Sequence, residues 1–246
     1  MFRITIGLLT ILCWLSIVKV QAQKPVRLKP TNQFHLSIPE PSDLCLTPDG
    51  AHFYVVSDNG LLFETDLNGT ITRQSTFSAY DLEGCYADAD NVYVVDERTR
   101  KVHLLDHKNL QKHHTFEVPY MASRNRGYES LCFNPAKSSF LLISEKDPST
   151  IFECDASWRV QNETDFKGLS DISAATYYDG KLYLLSDEAH QLWELDAVTY
   201  SPTRKFELGI INPEGVAFDK SGNLYVISDD RAILYHFGPL PSPTKP

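Results

Sequence analysis

Five runs of apolar and aromatic residues recur along the chain at nearly even intervals. They are Phe53-Tyr54-Val55-Val56, Val92-Tyr93-Val94-Val95, Phe140-Leu141-Leu142-Ile143, Leu182-Tyr183-Leu184-Leu185 and Leu224-Tyr225-Val226-Ile227. β-Branched and aromatic residues bounded by Gly, Asp and Asn predict strands. Their near-continuous apolar character predicts burial on both faces. A shorter segment precedes each run: Pro41-Ser42-Asp43-Leu44-Cys45, Leu82-Glu83-Gly84-Cys85-Tyr86, Tyr128-Glu129-Ser130-Leu131-Cys132, Ile172-Ser173-Ala174-Ala175-Thr176 and Pro213-Glu214-Gly215-Val216-Ala217. The second position of each is Ser or Glu, and the spacings between these positions are 41, 46, 44 and 41 residues. A third and a fourth polar–apolar run follow, as in Gln191-Leu192-Trp193-Glu194-Leu195 and Thr203-Arg204-Lys205-Phe206-Glu207-Leu208. No stretch sustains a helical period. A repeat in the forties carrying four strands is a propeller blade, so the pattern predicts an all-β, five-bladed β-propeller with four-stranded blades.

Only three strands fit between Glu214 and the Pro-rich segment that starts at Gly238. Gln33 to Ile38 precedes Ser42 as the fourth strands precede Glu83 and Glu214. The N-terminal strand is therefore expected to complete the last blade, which removes an open sheet edge. One propeller domain is predicted over residues 23–246. Residues 1–22 read differently: Arg3, an apolar run from Ile4 to Leu15, then Val20-Gln21-Ala22 with small residues at the −3 and −1 positions. That is the pattern of a secretory signal peptide cleaved after Ala22. A short membrane anchor is the other reading, although the run is short for a span and Lys19 interrupts its end. No later run is long enough to cross a membrane, and a periplasmic or secreted monomer is expected.

The 246 residues are 42% apolar and 22% charged, an ordinary globular composition. The net charge of −9 and the lack of a long basic run argue against nucleic-acid binding. They suit a cationic partner, a metal ion or a neutral ligand. Cys45, Cys85, Cys132 and Cys154 follow the signal segment without any CxxC spacing, which excludes a zinc ribbon. Buried free thiols are expected ahead of disulfides.

Antiparallel pairing places the end of the second strand of a blade beside the start of the first. The second strands end at Asp58, Glu97, Glu145, Asp187 and Asp229, and the first strands begin around Ser42, Glu83, Glu129, Ser173 and Glu214. Both sets are thus expected on one rim. Glu40, Asp81 and Asp171 stand two residues ahead of their Ser or Glu and join them. Carboxylates this dense raise one another's pKa unless a positive charge intervenes. Ca2+, with its 6–8 oxygen ligands, is the expected remedy. Glu83, Glu129, Glu214, Asp58, Glu97, Glu145, Asp187 and Asp229 are the candidate metal ligands, with Ser42 and Ser173 completing a shell. Against this, acids that end strands commonly accept turn N–H groups, as Asp66, Asp106, Asp155 and Asp196 are expected to do at the ends of the third strands.

The segments Glu40-Pro41-Ser42-Asp43-Leu44, Asp81-Leu82-Glu83-Gly84, Gly127-Tyr128-Glu129-Ser130-Leu131, Asp171-Ile172-Ser173 and Asn212-Pro213-Glu214-Gly215-Val216 resemble the SdiA-regulated family, which includes calcium-regulated β-propeller proteins of the bacterial envelope. The resemblance implies an exported propeller with a Ca2+-linked role. It carries the motif positions onto Ser42, Glu83, Glu129, Ser173 and Glu214. Asp43 stands where the pattern favours Gly, so the first inner strand is expected to stand off the axis. Three functions compete. The first is an exported binding protein whose acidic funnel holds Ca2+ and a small ligand or envelope partner. The second is a Ca2+-dependent hydrolase of phosphate esters or lactones, with Arg98, Arg124, Arg126 and Lys146 near the rim to hold a phosphate. The third is an interaction module for another envelope protein.

Overall fold

In the computed structural model, which describes residues 24–119, 127–146 and 148–242, every regular element is a strand. The signal-peptide reading of residues 1–22 and the rim assignment of Arg124 and Arg126 fall outside the described residues. Two short strands come first, β1 (Val26–Leu28) and β2 (Asn32–His35). Blade one is β3 (Pro41–Leu46), β4 (His52–Ser57), β5 (Leu61–Asp66) and β6 (Ile71–Ser78). Blade two is β7 (Leu82–Ala87), β8 (Asn91–Asp96), β9 (Lys101–Asp106) and β10 (Lys112–Glu117). Blade three is β11 (Ser130–Asn134), β12 (Ser139–Ile143), β13 (Thr150–Cys154) and β14 (Val160–Asp165). Blade four is β15 (Ala174–Tyr178), β16 (Lys181–Ser186), β17 (Gln191–Asp196) and β18 (Pro202–Leu208), and blade five is β19 (Pro213–Phe218), β20 (Asn223–Ser228) and β21 (Ile233–Pro239), completed by β2.

The ring closes as the sequence predicts. β2 pairs antiparallel with β21, from Asn32 opposite His236 to His35 opposite Ile233. β1 has no counterpart in the sequence prediction. It adds to blade four as an outer, parallel fifth strand, with Val26 opposite Phe206 and Leu28 opposite Leu208. Three residues carry no periodic signal, and the pairing is set by where the chain runs next.

The second strands β4, β8, β16 and β20 are buried along nearly their whole length. The core is a set of layers between neighbouring blades rather than one centre. One such layer joins blade four to blade five through Leu185, Leu192, Phe206, Val216, Leu224 and Val226. Asp66, Asp106 and Asp196 end third strands, Asp155 directly follows one, and all four fold their carboxylates back onto the turn: Asp106 accepts the N–H groups of Lys108 and Asn109 at 2.8 and 3.1 Å, and Asp196 accepts those of Val198 and Thr199 at 3.1 and 2.8 Å. No helix among the described residues is long and apolar enough to cross a membrane.

Around the axis the inner strands nearly touch. A Cβ on Gly84 would lie 2.6 Å from the backbone N of Leu131, and one on Gly215 would lie 2.8 Å from the Cα of Asp43. The residues following the motif Ser or Glu are Asp43, Gly84, Ser130, Ala174 and Gly215, so each larger side chain is flanked by small ones. The expectation that Asp43 holds its strand off the axis is therefore corrected. β3 packs on both β7 and β19, and Asp43, only 1% exposed, accepts the Cys85 N–H at 3.0 Å. Ser130 does the same at the next polar position, accepting the Ala175 N–H at 2.7 Å. A polar side chain beside a glycine ties neighbouring inner strands together instead of separating them.

Candidate functional site

The rim is built by the backbone. The Asp58 N–H donates to the Glu40 carbonyl at 3.1 Å, the Glu97 N–H to that of Asp81 at 2.9 Å, and the Ile172 N–H to that of Glu145 at 2.9 Å. The acids after the second strands thus sit beside the residues that open the first strands. Ser57 and Ser228 reinforce this, donating to the carbonyls of Pro39 at 2.6 Å and Ile211 at 2.7 Å.

Register shifts between Pro41 and Asp43, Leu82 and Gly84, and Pro213 and Gly215 put Ser42, Glu83 and Glu214 at β-bulges. An extra residue in one strand is unpaired and its side chain is re-aimed. Glu129 and Ser173 lie one residue ahead of β11 and β15, with N–H groups donated to Ile143 at 2.9 Å and Leu185 at 3.0 Å. Alternation along a strand does not disclose these bulges, so the sequence placed the residues on the rim without showing how they are turned.

The electrostatics show that the acids share one space. Burial, then the charges of Glu129, Asp58, Asp81 and Glu97, push the Glu83 carboxyl well above its ordinary range. Glu129 is pushed well up by burial and by Glu97, Glu145 and Glu214. Glu214 is pushed up to about 8 by burial and by Asp187, Asp229, Asp58 and Asp171. Asp58 is pushed up to about 6 by burial and Asp81, with Ser42 offsetting part of the effect. Glu97, Asp187 and Asp229 are raised too, with burial the largest cause for each.

The outer acids have protein partners. Glu97 accepts the Gly127 N–H at 2.8 Å. Asp171 accepts the Ser186 hydroxyl at 2.5 Å and the Asp187 N–H at 2.9 Å. Glu145 meets Lys146 at 2.7 Å, Lys146 reaches Glu188 at 3.3 Å, and Arg98 lies 3.8 Å from Asp81. Both rim cations described are thus set against rim acids. Ser42 donates to the Leu82 carbonyl, and Ser173 donates to that of Pro213 at 2.8 Å. These hydroxyls span adjacent blades one residue before the next motif Glu. Among the described residues, no three His, Cys, Asp or Glu side chains converge into a ready-made metal cage.

The opposite half of the axial channel has another character. A cavity of about 330 Å3 there is lined by Cys45, Cys85, Cys132, Tyr86, Phe133 and Phe218 among others. All four described cysteines are free thiols, as expected. Sequence reasoning missed Asp43 as a buried axial carboxylate, pushed well up by burial. Its place directly after a motif Ser, where two other blades carry Gly, was the available signal.

The architecture and the rim define a five-bladed β-propeller with an acidic mouth on one face and a thiol- and aromatic-lined mouth on the other. A family model described as SdiA-regulated matches residues 26–238, and the chain belongs to that family. Among solved structures, it is similar to a glutaminyl cyclase from Myxococcus xanthus, with 14% identity, a TM-score of 0.71 and coverage of 87% of this chain and 97% of that one. It is also similar to a protein from Bacteroides caccae, with 12% identity, a TM-score of 0.57 and coverage of 81% of each chain. The β-propeller domain of Cps50 (Swd1) from Myceliophteria thermophila matches with 13% identity, a TM-score of 0.50 and coverage of 83% of this chain and 66% of that one. At these identities the likeness is one of fold.

Proposed function

We propose that this protein is an exported propeller binding protein whose acidic mouth holds a divalent cation of the Ca2+ type and, around it, a small ligand or an envelope partner. The observation that carries this reading is the inner trio Glu83, Glu129 and Glu214. They are half-buried, their carboxyls are held up by burial and by the charges of the surrounding acids, and none has an ion-pair partner among the described residues. Hard all-oxygen donors of this kind fit Ca2+ in chemistry. Because no compact cage exists beforehand among the described residues, the cation has to draw carboxylates inward or share its shell with water. The ion would supply the positive charge that lets all three glutamates ionise together. Asp58, Glu97, Glu145, Asp187 and Asp229 add negative potential at the mouth, which raises the local concentration of cations. Ser42 and Ser173 hold neighbouring blades at the correct spacing, and their hydroxyl oxygens retain lone pairs for a ligand.

Calorimetric titration of chelator-treated protein with Ca2+ tests the reading. Saturable binding at sub-millimolar Ca2+, lost at least tenfold when Glu83, Glu129 and Glu214 are all replaced by Gln, is expected. No heat up to millimolar Ca2+ would sink it. Export is checked separately: N-terminal sequencing of protein recovered outside the cytoplasm should begin at Gln23.

A second, catalytic reading has one observation in its favour. Glu97 and Glu129 form a pair of neighbouring carboxyls: after burial, the charge of Glu97 is the next cause that holds Glu129 well above its ordinary range, while Glu97 itself accepts the Gly127 N–H at 2.8 Å. Such a pair is equipment for proton transfer. Hydrolysis of phosphate esters or lactones in the presence of Ca2+, abolished in Glu129→Gln, would establish this function. The engagement of Arg98 and Lys146 by rim acids weighs against a phosphate-bearing substrate.

A further inference from the structure

At the mouth opposite the acids, Cys45 of β3 and Cys85 of β7 face the same cavity. Three contacts hold them together. Asp43, two residues before Cys45, accepts the backbone N–H of Cys85 at 3.0 Å. The Cys85 thiol points at the carbonyl of Tyr54 at 3.8 Å, and Tyr54 is the cross-strand partner of Cys45. Cys45 packs against the apolar cluster that contains Cys85, and burial holds the Cys85 thiol well above its usual range. Cys45 is half-buried, whereas Cys85, Cys132 and Cys154 are buried. Cys132 lines the cavity as well, but it belongs to blade three. Strand β7 lies between β3 and β11, and Tyr86 of that strand lines the cavity alongside Cys45 and Cys132. Cys154, in β13, is not part of the cavity.

We propose that Cys45 and Cys85 are a redox pair that closes into a disulfide across the seam between blades one and two. The oxidant is a low-molecular-weight or protein disulfide that reaches Cys45 through the cavity. The Cys45 thiolate attacks one sulfur of that disulfide, giving a mixed disulfide and releasing one thiolate. Cys85 then loses its proton to the departing group and attacks the Cys45 sulfur, releasing the second thiolate. The pair gives up two electrons, and the external disulfide is reduced to two thiols. Only a thiolate attacks, so the raised Cys85 thiol makes ring closure the slower step and one that accelerates with pH. This inference stands apart from the acidic mouth and from any Ca2+ binding.

Folded wild-type protein is treated with oxidised glutathione, quenched in acid, alkylated and mapped by non-reducing peptide mass spectrometry. A peptide joining Cys45 to Cys85 is expected to become the dominant form, in Cys132→Ser as well as in wild type, and faster at pH 9 than at pH 7. Cys85→Ser, which removes the resolving thiol, is expected to keep glutathione on Cys45. The proposal is overturned if wild type retains glutathione on Cys45, if Cys45 links to Cys132 instead, or if Cys45 is not modified.

Discussion

Glu214 shows what one residue contributes. Its ordinary pKa is 4.5, and in the folded protein it is pushed up to about 8. Asp58 goes from 3.8 to about 6. Across that interval the folded chain binds more protons than the unfolded one, so folding stability falls as pH rises. Below about pH 4 the sign reverses, because the turn-capping carboxylates of Asp106, Asp155 and Asp196, which are held low by their N–H partners, become protonated. In chelator the melting temperature should therefore peak at about pH 4 and decline towards about pH 8. Glu214→Gln should flatten that decline and raise the melting temperature at pH 8. A melting temperature constant from pH 5 to 8 would contradict the placement of these carboxyls. Saturating Ca2+ should reverse the slope, because it selects the ionised form and expels protons. Titration in two buffers of different ionisation enthalpy reads that release directly.

Blade inner strands behave as a ring of mutual supports. Gly84 accepts no side chain, because Leu131 N would be 2.6 Å away and is backbone. Gly84→Ala should destabilise by about 2 kcal/mol or more through overpacking that has no flexible group to absorb it. Gly180→Ala serves as a comparison, since no atom lies within 4 Å of its Cβ position, and there any cost comes from the positive φ alone. Ser173→Ala removes the bond to the Pro213 carbonyl and should cost about 1–2 kcal/mol in denaturant unfolding. If Ser173 also ligates the ion, Ca2+ affinity falls in that variant; if its role is only to join the blades, affinity is unchanged.

Much at this scale was legible in the sequence. The five apolar second strands announce themselves by composition, and the antiparallel rule alone puts Asp58, Glu97, Glu145, Asp187 and Asp229 beside the motif residues. What stayed hidden depends on the phase of one strand against its neighbour. The bulges at Ser42, Glu83 and Glu214 insert a residue without changing the apolar pattern. Asp43 reads as an obstacle until Gly84 and Gly215 are seen on either side of it. The cavity shared by Cys45 and Cys85 joins strands that are neighbours only because two blades meet at the axis.

For the molecule as a whole, closure of the ring matters most. β2 supplies the outer strand of the last blade, and Phe34 packs with Leu36, Ile38, Leu234 and Ile227 in one cluster. Deleting residues 24–38 should leave β21 as a bare edge and produce protein that aggregates or binds hydrophobic dye. A truncated chain that remained monomeric with an unchanged melting temperature would show that the other blades close without it. Loss of β1 alone, residues 24–29, should be tolerated, because it adds only an outer rung to a blade that is already four-stranded.

The clasp between Asn32–His35 and Ile233–His236 spans about two hundred positions, as the Thr31–His236 side-chain bond, 205 residues apart, illustrates. During synthesis the earliest part of the propeller must therefore wait, unpaired, for the latest. Contacts this distant in sequence slow folding. The chain thus spends its time on the ribosome unfinished, with β2 the sole strand of blade five until β19, β20 and β21 are made. The same geometry makes the two ends of the domain one point of vulnerability, where a proteolytic nick near either would release the ring.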